Sequence, residues 1–284
     1  MPTTVIDGIT TAYEVVGSGS PLLMCSPGGF DAAMSKWRTL GIYRDTTILD
    51  HLAERHTCIV YDRRESGASG GRVEEVTWRH YVAQAKGLLD DLGFDRADLM
   101  GGCMGCSPVL AFAVAYPERV RSMVLFWPVG GAHYRVRGHQ RFSEHASFAQ
   151  EAGLSGVVEL AKSTDAGFGQ EPRIGPWGQV LRNDEAFAEE YRHLDRAWYQ
   201  RVVTGMVRGL LDRDTSPGAE PEDLFDLDVP TLIVPGQDAS HATSAARYLQ
   251  ECLPRAEYWD VPVAEQTEDS APARVIDFLE GVRG

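Results

Sequence analysis

No apolar run in the chain approaches the ~18 consecutive residues of a membrane-spanning helix, so no membrane span is expected. Its start, Met1-Pro2-Thr3-Thr4, lacks the basic segment followed by an apolar one that directs secretion, and a reducing, cytoplasmic location is the default expectation. Basic charge is scarce: 27 Lys and Arg stand against 41 Asp and Glu, a formal net charge of -14. Such a surface repels phosphate backbones and anionic lipid, which excludes nucleic acid and membranes as expected partners. There is no H-E-x-x-H and no clustering of histidines with carboxylates, so no metal is expected. The glycines around 101–105 do not form G-x-G-x-x-G, so no nicotinamide or flavin cofactor is expected either. The cysteines are few, odd in number and scattered: Cys25, Cys58, Cys103, Cys106 and Cys252. Apart from one C-x-x-C they have neither zinc-ligand spacing nor a disulfide framework. Cys25 and Cys58 lie in apolar strand-like runs and read as small core residues. Histidine is absent after His241.

What the 284 residues do contain, at 43% hydrophobic and 24% charged, is the pattern of an α/β protein. Short β-rich runs alternate with helical stretches, as in a mostly parallel sheet covered on both faces. Strands are expected at 10–16, 21–25, 58–62, 97–101, 121–127, 229–234 and 257–261. Helices are expected at 77–93, 108–116, 244–253 and 273–282. From about Gly131 to Pro217 the β signal disappears, and aromatics such as Phe168, Trp177, Trp198 and Tyr199 accumulate. That region reads as a helical lid, 131–217, inserted into a core made of 1–130 and 218–284, over the strand ends where open α/β sheets place their sites. Its aromatics suit an apolar pocket for a hydrophobic or aromatic acyl group.

The most informative stretch is Leu99-Met100-Gly101-Gly102-Cys103-Met104-Gly105-Cys106. A nucleophile elbow holds its reactive residue on a strained turn between strand and helix. Backbones crowd there, so small residues are needed two before and two after it, and Gly101 and Gly105 supply them. The following helix aims its N-terminal dipole at the thiol, which favours the thiolate.

This elbow, with Ala115-Tyr116-Pro117-Glu118-Arg119-Val120 behind it, resembles the α/β-hydrolase fold superfamily, proline-iminopeptidase-like members in particular. Pro27-Gly28-Gly29-Phe30 resembles the loop after the third strand that lends an oxyanion N–H. Tyr61-Asp62-Arg63-Arg64-Glu65-Ser66-Gly67 resembles the D-x-R-G-x-G turn, and Pro230 to Asp238 the strand that ends in the catalytic acid. The resemblance implies an α/β-hydrolase fold with the lid after the sixth strand. It also implies Cys103 at the nucleophile position and Asp238 as the acid, with the N–H of Met104 and that of Gly29 or Phe30 as oxyanion donors.

The chain departs from the superfamily where the histidine should follow the last strand. Val261-Pro262-Val263-Ala264-Glu265-Gln266-Thr267-Glu268-Asp269 contains none. Three readings follow. His241, three residues past Asp238, reaches across as the base. Alternatively Cys103 attacks unaided as a thiolate, with Glu265 or one of the histidines of the insertion (His133, His139, His145, His193) helping later. In the third, hydrolysis is lost and the pocket binds a ligand, in a regulatory role, or does non-hydrolytic chemistry. Cys103-Met104-Gly105-Cys106 is also a C-x-x-C at a helix N-terminus, and Cys106 is a candidate to shut off the nucleophile as a disulfide. The leading expectation is a hydrolase or acyl-transfer enzyme for a small ester, thioester, lactone or ketone with a cleavable carbon–carbon bond. Its partner would be that small molecule, and a homodimer is compatible with the sequence.

Overall fold

The computed structural model describes residues 1–282. Its strands are β1 (Thr3–Ile6), β2 (Ile9–Val16), β3 (Ser20–Cys25), β4 (His56–Tyr61), β5 (Ala97–Gly102), β6 (Val120–Phe126), β7 (Thr231–Val234) and β8 (Ala256–Tyr258). They form one sheet in the order β1-β2-β4-β3-β5-β6-β7-β8. The β1–β2 and β2–β4 pairs are antiparallel, and every later pair is parallel. This is the expected α/β-hydrolase architecture of a mostly parallel sheet flanked by helices.

Burial explains why the central strands read as continuous apolar runs: β5 and β7 are buried at every position, and β3 and β6 at all but one. Side chains of a strand alternate between faces, so a strand covered on both sides is apolar throughout. Leu23, Ile59, Leu99 and Leu125 pack with Leu88 of the Trp78–Asp91 helix and Val109 and Phe112 of the Cys106–Ala115 helix. Their neighbours Leu22, Met24, Val60, Met100 and Val124 point the other way, onto Trp37, Leu52 and the Ser270–Gly281 helix.

Between β6 and β7 the chain is helical, with α-helices at Ala132–Ser163, Gly178–Asn183, Glu185–Arg192 and Arg196–Leu210. Gly153, at φ 71° and ψ 171°, breaks the long first helix. Phe142, Val157, Trp177, Tyr191 and Tyr199 build a separate apolar core there, which reaches Phe30, Met104 and Cys103 of the sheet end. His145 is buried in this core, sharing hydrogen bonds with the Arg173 carbonyl and the Tyr199 hydroxyl.

Several boundaries differ from the sequence expectation. The final strand is Ala256–Tyr258 rather than 257–261, since the chain then turns through Pro262 into a 3-10 turn at Val263–Glu265. β1, an exposed edge strand of alternating burial, and three short helices within 36–53 carried no recognisable signal. Among the described residues no helix is long and apolar enough to cross a membrane.

Candidate active site

Chain order β3, β4, β5 runs first to one side of β3 and then to the other. A crevice opens at the carboxyl ends of strands where the winding reverses. Two loops meet there. One leaves β3 as Ser26-Pro27-Gly28-Gly29, and the other leaves β5 as Cys103-Met104-Gly105, a 3-10 turn leading straight into the Cys106–Ala115 helix.

Cys103 has φ 54°. A non-glycine residue in the left-handed region stores strain that its surroundings must hold in place. The glycines on either side make that possible. A Cβ on Gly101 would lie 2.5 Å from the Cys106 backbone, and one on Gly105 would lie 2.1 Å from the Cys25 carbonyl oxygen. The reactive side chain is thereby lifted out of the sheet between the two cores, where it is half-buried.

Asp238 and His241 lie on the loop between β7 and the Thr243–Cys252 helix. The Asp238 carboxylate accepts the Ser240 N–H at 2.7 Å and the His241 N–H at 3.0 Å, which fixes the turn. Both its oxygens then stand 2.9 Å from His241 Nδ1. His241 Nε2 is buried, has no hydrogen-bond partner, and faces the Cys103 thiol. The sulfur contact falls short of hydrogen-bond geometry but is close enough for each group to shift the other. Burial works against the thiolate at Cys103. The neighbouring His241, together with the N–H groups of Gly28 and Met104, outweighs it, so the thiol is held below the usual 9.0. Burial likewise opposes the imidazolium, but Cys103 and Asp238 raise His241 to about 9. The other four thiols all move up, Cys25 to about 11 and Cys58 to about 12, with burial the largest cause in each.

The structure thus brings together Cys103, Asp238 and His241, with the Met104 N–H beside the sulfur. From the 27–30 loop it is Gly28 whose N–H reaches the sulfur. Gly29 instead turns its carbonyl to Arg63, and the Phe30 ring packs edge-on against Phe142 and Phe168. Cys106 is fully buried and its thiol donates to the Gly101 carbonyl at 3.1 Å; Cys103 and Cys106 are both free thiols. Glu265 is exposed at the surface. His145 is committed within the helical insertion, His139 shares a hydrogen bond with the Leu211 carbonyl, His193 pairs with Glu189, and His133 is exposed. Among the described residues no group of histidine, cysteine and carboxylate side chains could hold a metal ion.

Two residues that the sequence did not single out complete the site. Gln266, in the stretch where the histidine is missing, is buried and links the Pro235 backbone to the Trp127 side chain. Its Nε2 donates to the Pro235 carbonyl at 2.8 Å, and its Oε1 accepts from Trp127 Nε1 at 2.7 Å. The Trp127 ring, on a backbone at φ 55°, packs 5.4 Å from the His241 ring. Gly236 leaves room for both, since a Cβ there would lie 2.6 Å from the His241 Cβ and 3.0 Å from the indole. Gln266 therefore props the surface on which His241 rests. Gln266→Ala should lower kcat for a short ester about tenfold, with KM changed less than threefold, because it loosens a second-sphere support rather than a substrate contact. Steady-state kinetics beside a melting curve would check this.

A strained cysteine elbow, facing amides and an Asp–His pair meet at the carboxyl ends of a parallel sheet, the place where this fold puts its candidate active site. The family model for the alpha/beta hydrolase fold matches residues 21–155. The 2-hydroxy-6-oxo-2,4-heptadienoate hydrolase of Pseudomonas putida strain F1 is 27% identical over 247 residues, covering 81% of this chain and 76% of that protein. The 2-hydroxymuconate semialdehyde hydrolase of Pseudomonas putida is 40% identical over 123 residues, 43% of this chain and 41% of that one. MGS-M2, an alpha/beta hydrolase enzyme from a Medee basin deep-sea metagenome library, aligns with a TM-score of 0.66 at 21% identity, covering 98% of this chain and 97% of that one. The chain has the α/β-hydrolase fold, and its similarity to proteins named as hydrolases supports a hydrolase.

Proposed function

We propose that the chain is a cysteine hydrolase in which Cys103, His241 and Asp238 cleave a small acyl compound. The observation that carries this reading is the line of three groups, Cys103 Sγ, His241 and Asp238, on an elbow where Cys103 alone of five thiols is held low. His241 takes the thiol proton and the sulfur bonds to the substrate carbonyl carbon, moving the carbonyl electron pair onto oxygen. The Met104 N–H and the amides of the 28–30 loop, led by Gly28, hold that oxyanion. Collapse expels the leaving group, which takes the proton from His241 and leaves a thioester on Cys103. Water then gives a proton to His241 and attacks the thioester, and the sulfur departs as thiolate. Asp238 keeps Nδ1 protonated and the ring oriented.

The 131–217 insertion serves as the lid, its aromatic core closing over Cys103. Substrates are small esters, thioesters or lactones. The names of the two relatives, hydrolases of an oxo acid and of a semialdehyde, keep a carbon–carbon bond beside a ketone in the class.

The test couples labelling to turnover. At pH 7 iodoacetamide should alkylate Cys103 alone, since the other thiols are held high, and p-nitrophenyl acetate hydrolysis should fall in proportion. The alkylation rate should rise through a pKa below the usual 9.0, earlier than for a free thiol. Above about pH 9 His241 loses its proton and its ion pair with the Cys103 thiolate ends. Hydrolysis that survives complete alkylation of Cys103 would remove this reading.

A further inference from the structure

Arg63 follows Asp62 in the turn after β4 and is 2% exposed. Its Nη2 donates to the Gly29 carbonyl and lies 4.0 Å from Met104 Sδ, while its Cζ stands 4.6 Å from the Tyr81 ring centroid. Nε and Nη1 are buried with no hydrogen-bond partner. No carboxylate among the described residues pairs with this guanidinium; Glu65 is bound by Arg64 at 2.8 Å instead. A buried cation without an ion pair is costly, and a contact with an aromatic face offsets only part of that cost.

This charge, with Glu65 in electrostatic reach but no carboxylate in contact, sits against the residues that flank the reacting atoms. Gly29 belongs to the loop that touches the Cys103 sulfur through Gly28, and Met104 is the residue after Cys103. The hydroxyl of Tyr134, on the first helix of the insertion, is also buried and unpartnered, and it lies within electrostatic reach of both Cys103 and Arg63. Two buried side chains with open donors near one nucleophile, one of them a full cation, describe the complement of an anion.

We infer that Arg63 and Tyr134 form an anion subsite next to Cys103, which takes a carboxylate carried by the acyl substrate itself. The open Nε and Nη1 donors face different edges of the guanidinium, so the carboxylate takes a charge-assisted hydrogen bond from one of them, beside the Nη2 already held by the Gly29 carbonyl. The Tyr134 hydroxyl donates from the insertion side. The oxyanion of the reaction stays with the Met104 and loop amides, so the subsite selects substrates rather than stabilising the transition state. This inference rests on the proposed function for the identity of the substrate, but the subsite itself can be read without turnover.

The experiment compares iodoacetate with iodoacetamide on the intact chain; in each the sulfur–carbon bond forms as iodide leaves. In wild type the iodoacetate-to-iodoacetamide rate ratio should exceed that of free cysteine despite the acidic surface. It should fall tenfold or more in Arg63→Gln and severalfold in Tyr134→Phe. Because Arg63→Gln also frees the Gly29 carbonyl and could disturb the loop, melting is followed in parallel with acetate, butyrate and benzoate against their amides. The acids should raise Tm in wild type, less in Tyr134→Phe and not in Arg63→Gln. Equal rate ratios in wild type and both variants, with equal melting shifts, would overturn the subsite. Equal losses on neutral and anionic esters in Arg63→Gln would also overturn it, by assigning Arg63 to the oxyanion. A chain that binds carboxylates through Arg63 but hydrolyses nothing would remove the proposed function alone.

Discussion

His241→Ala should lower kcat for a short ester by several orders of magnitude, toward the roughly 10⁶-fold lost when the histidine of a catalytic triad is removed. The size follows from what His241 does at both ends of the reaction. It holds the Cys103 thiol low against burial, which is the largest single influence on that group. Without the imidazole, burial is opposed only by the Gly28 and Met104 amides, so the thiol rises and little thiolate remains at neutral pH. The same ring protonates the leaving group and then activates water, and no other histidine is in place to do either. Alkylation of Cys103 should persist, but with its rate rising at a higher pH than in wild type. Asp238→Asn should weaken kcat in the same direction, because the amide cannot hold Nδ1 protonated as the carboxylate does. A His241→Ala enzyme with near wild-type turnover would mean that Cys103 works without this base.

Gly105→Ala should cost about 3 kcal/mol of stability and most of the activity. The added Cβ would meet the Cys25 carbonyl oxygen at 2.1 Å, its carbon at 2.8 Å and the Ser26 carbonyl oxygen at 3.0 Å. All three are backbone atoms at the end of β3, so no side chain can swing aside. Relief requires the elbow to move away from the strand, and overpacking of this kind costs about 1–3 kcal/mol or more. For a chain of this size that lowers Tm by roughly 6–12 °C. The shift that relieves the clash also carries Cys103 away from Gly28 and His241, so activity should fall further than stability. Gly209→Ala is the control, since nothing lies within 4 Å of a Cβ there; it should leave both nearly unchanged.

Much of this arrangement was legible from residue order because it is enforced locally. The apolar runs of β3, β5 and β7 are what burial on both faces demands. The glycines around Cys103 are what the close approach of two backbones demands, and the aromatic-rich stretch without β signal holds helices joined by loops and no strand. Placing His241 beside Asp238 was within reach because three residues of one loop separate them. The supporting partners were not legible in this way. Gln266 and Trp127 meet across 139 positions of sequence, and nothing local distinguishes a glutamine that props an indole from one at the surface. Glu265 drew attention as the ionisable neighbour, yet the chain turns so that Gln266 faces inward. Gly28 and Gly29 differ only in peptide orientation, which the tertiary anchor of the Gly29 carbonyl on Arg63 fixes. Arg63 read as one more basic residue of a turn until its burial and open donors were seen.

The measurement closest to the centre of this account is intact mass after rapid mixing with p-nitrophenyl acetate, for wild type and Cys103→Ala. The account predicts a burst of nitrophenol matched by one acetyl group on Cys103, followed by steady turnover. The variant should show neither burst nor adduct, with hydrolysis at the buffer rate. An acetyl group found elsewhere, or hydrolysis in Cys103→Ala equal to wild type, would contradict it.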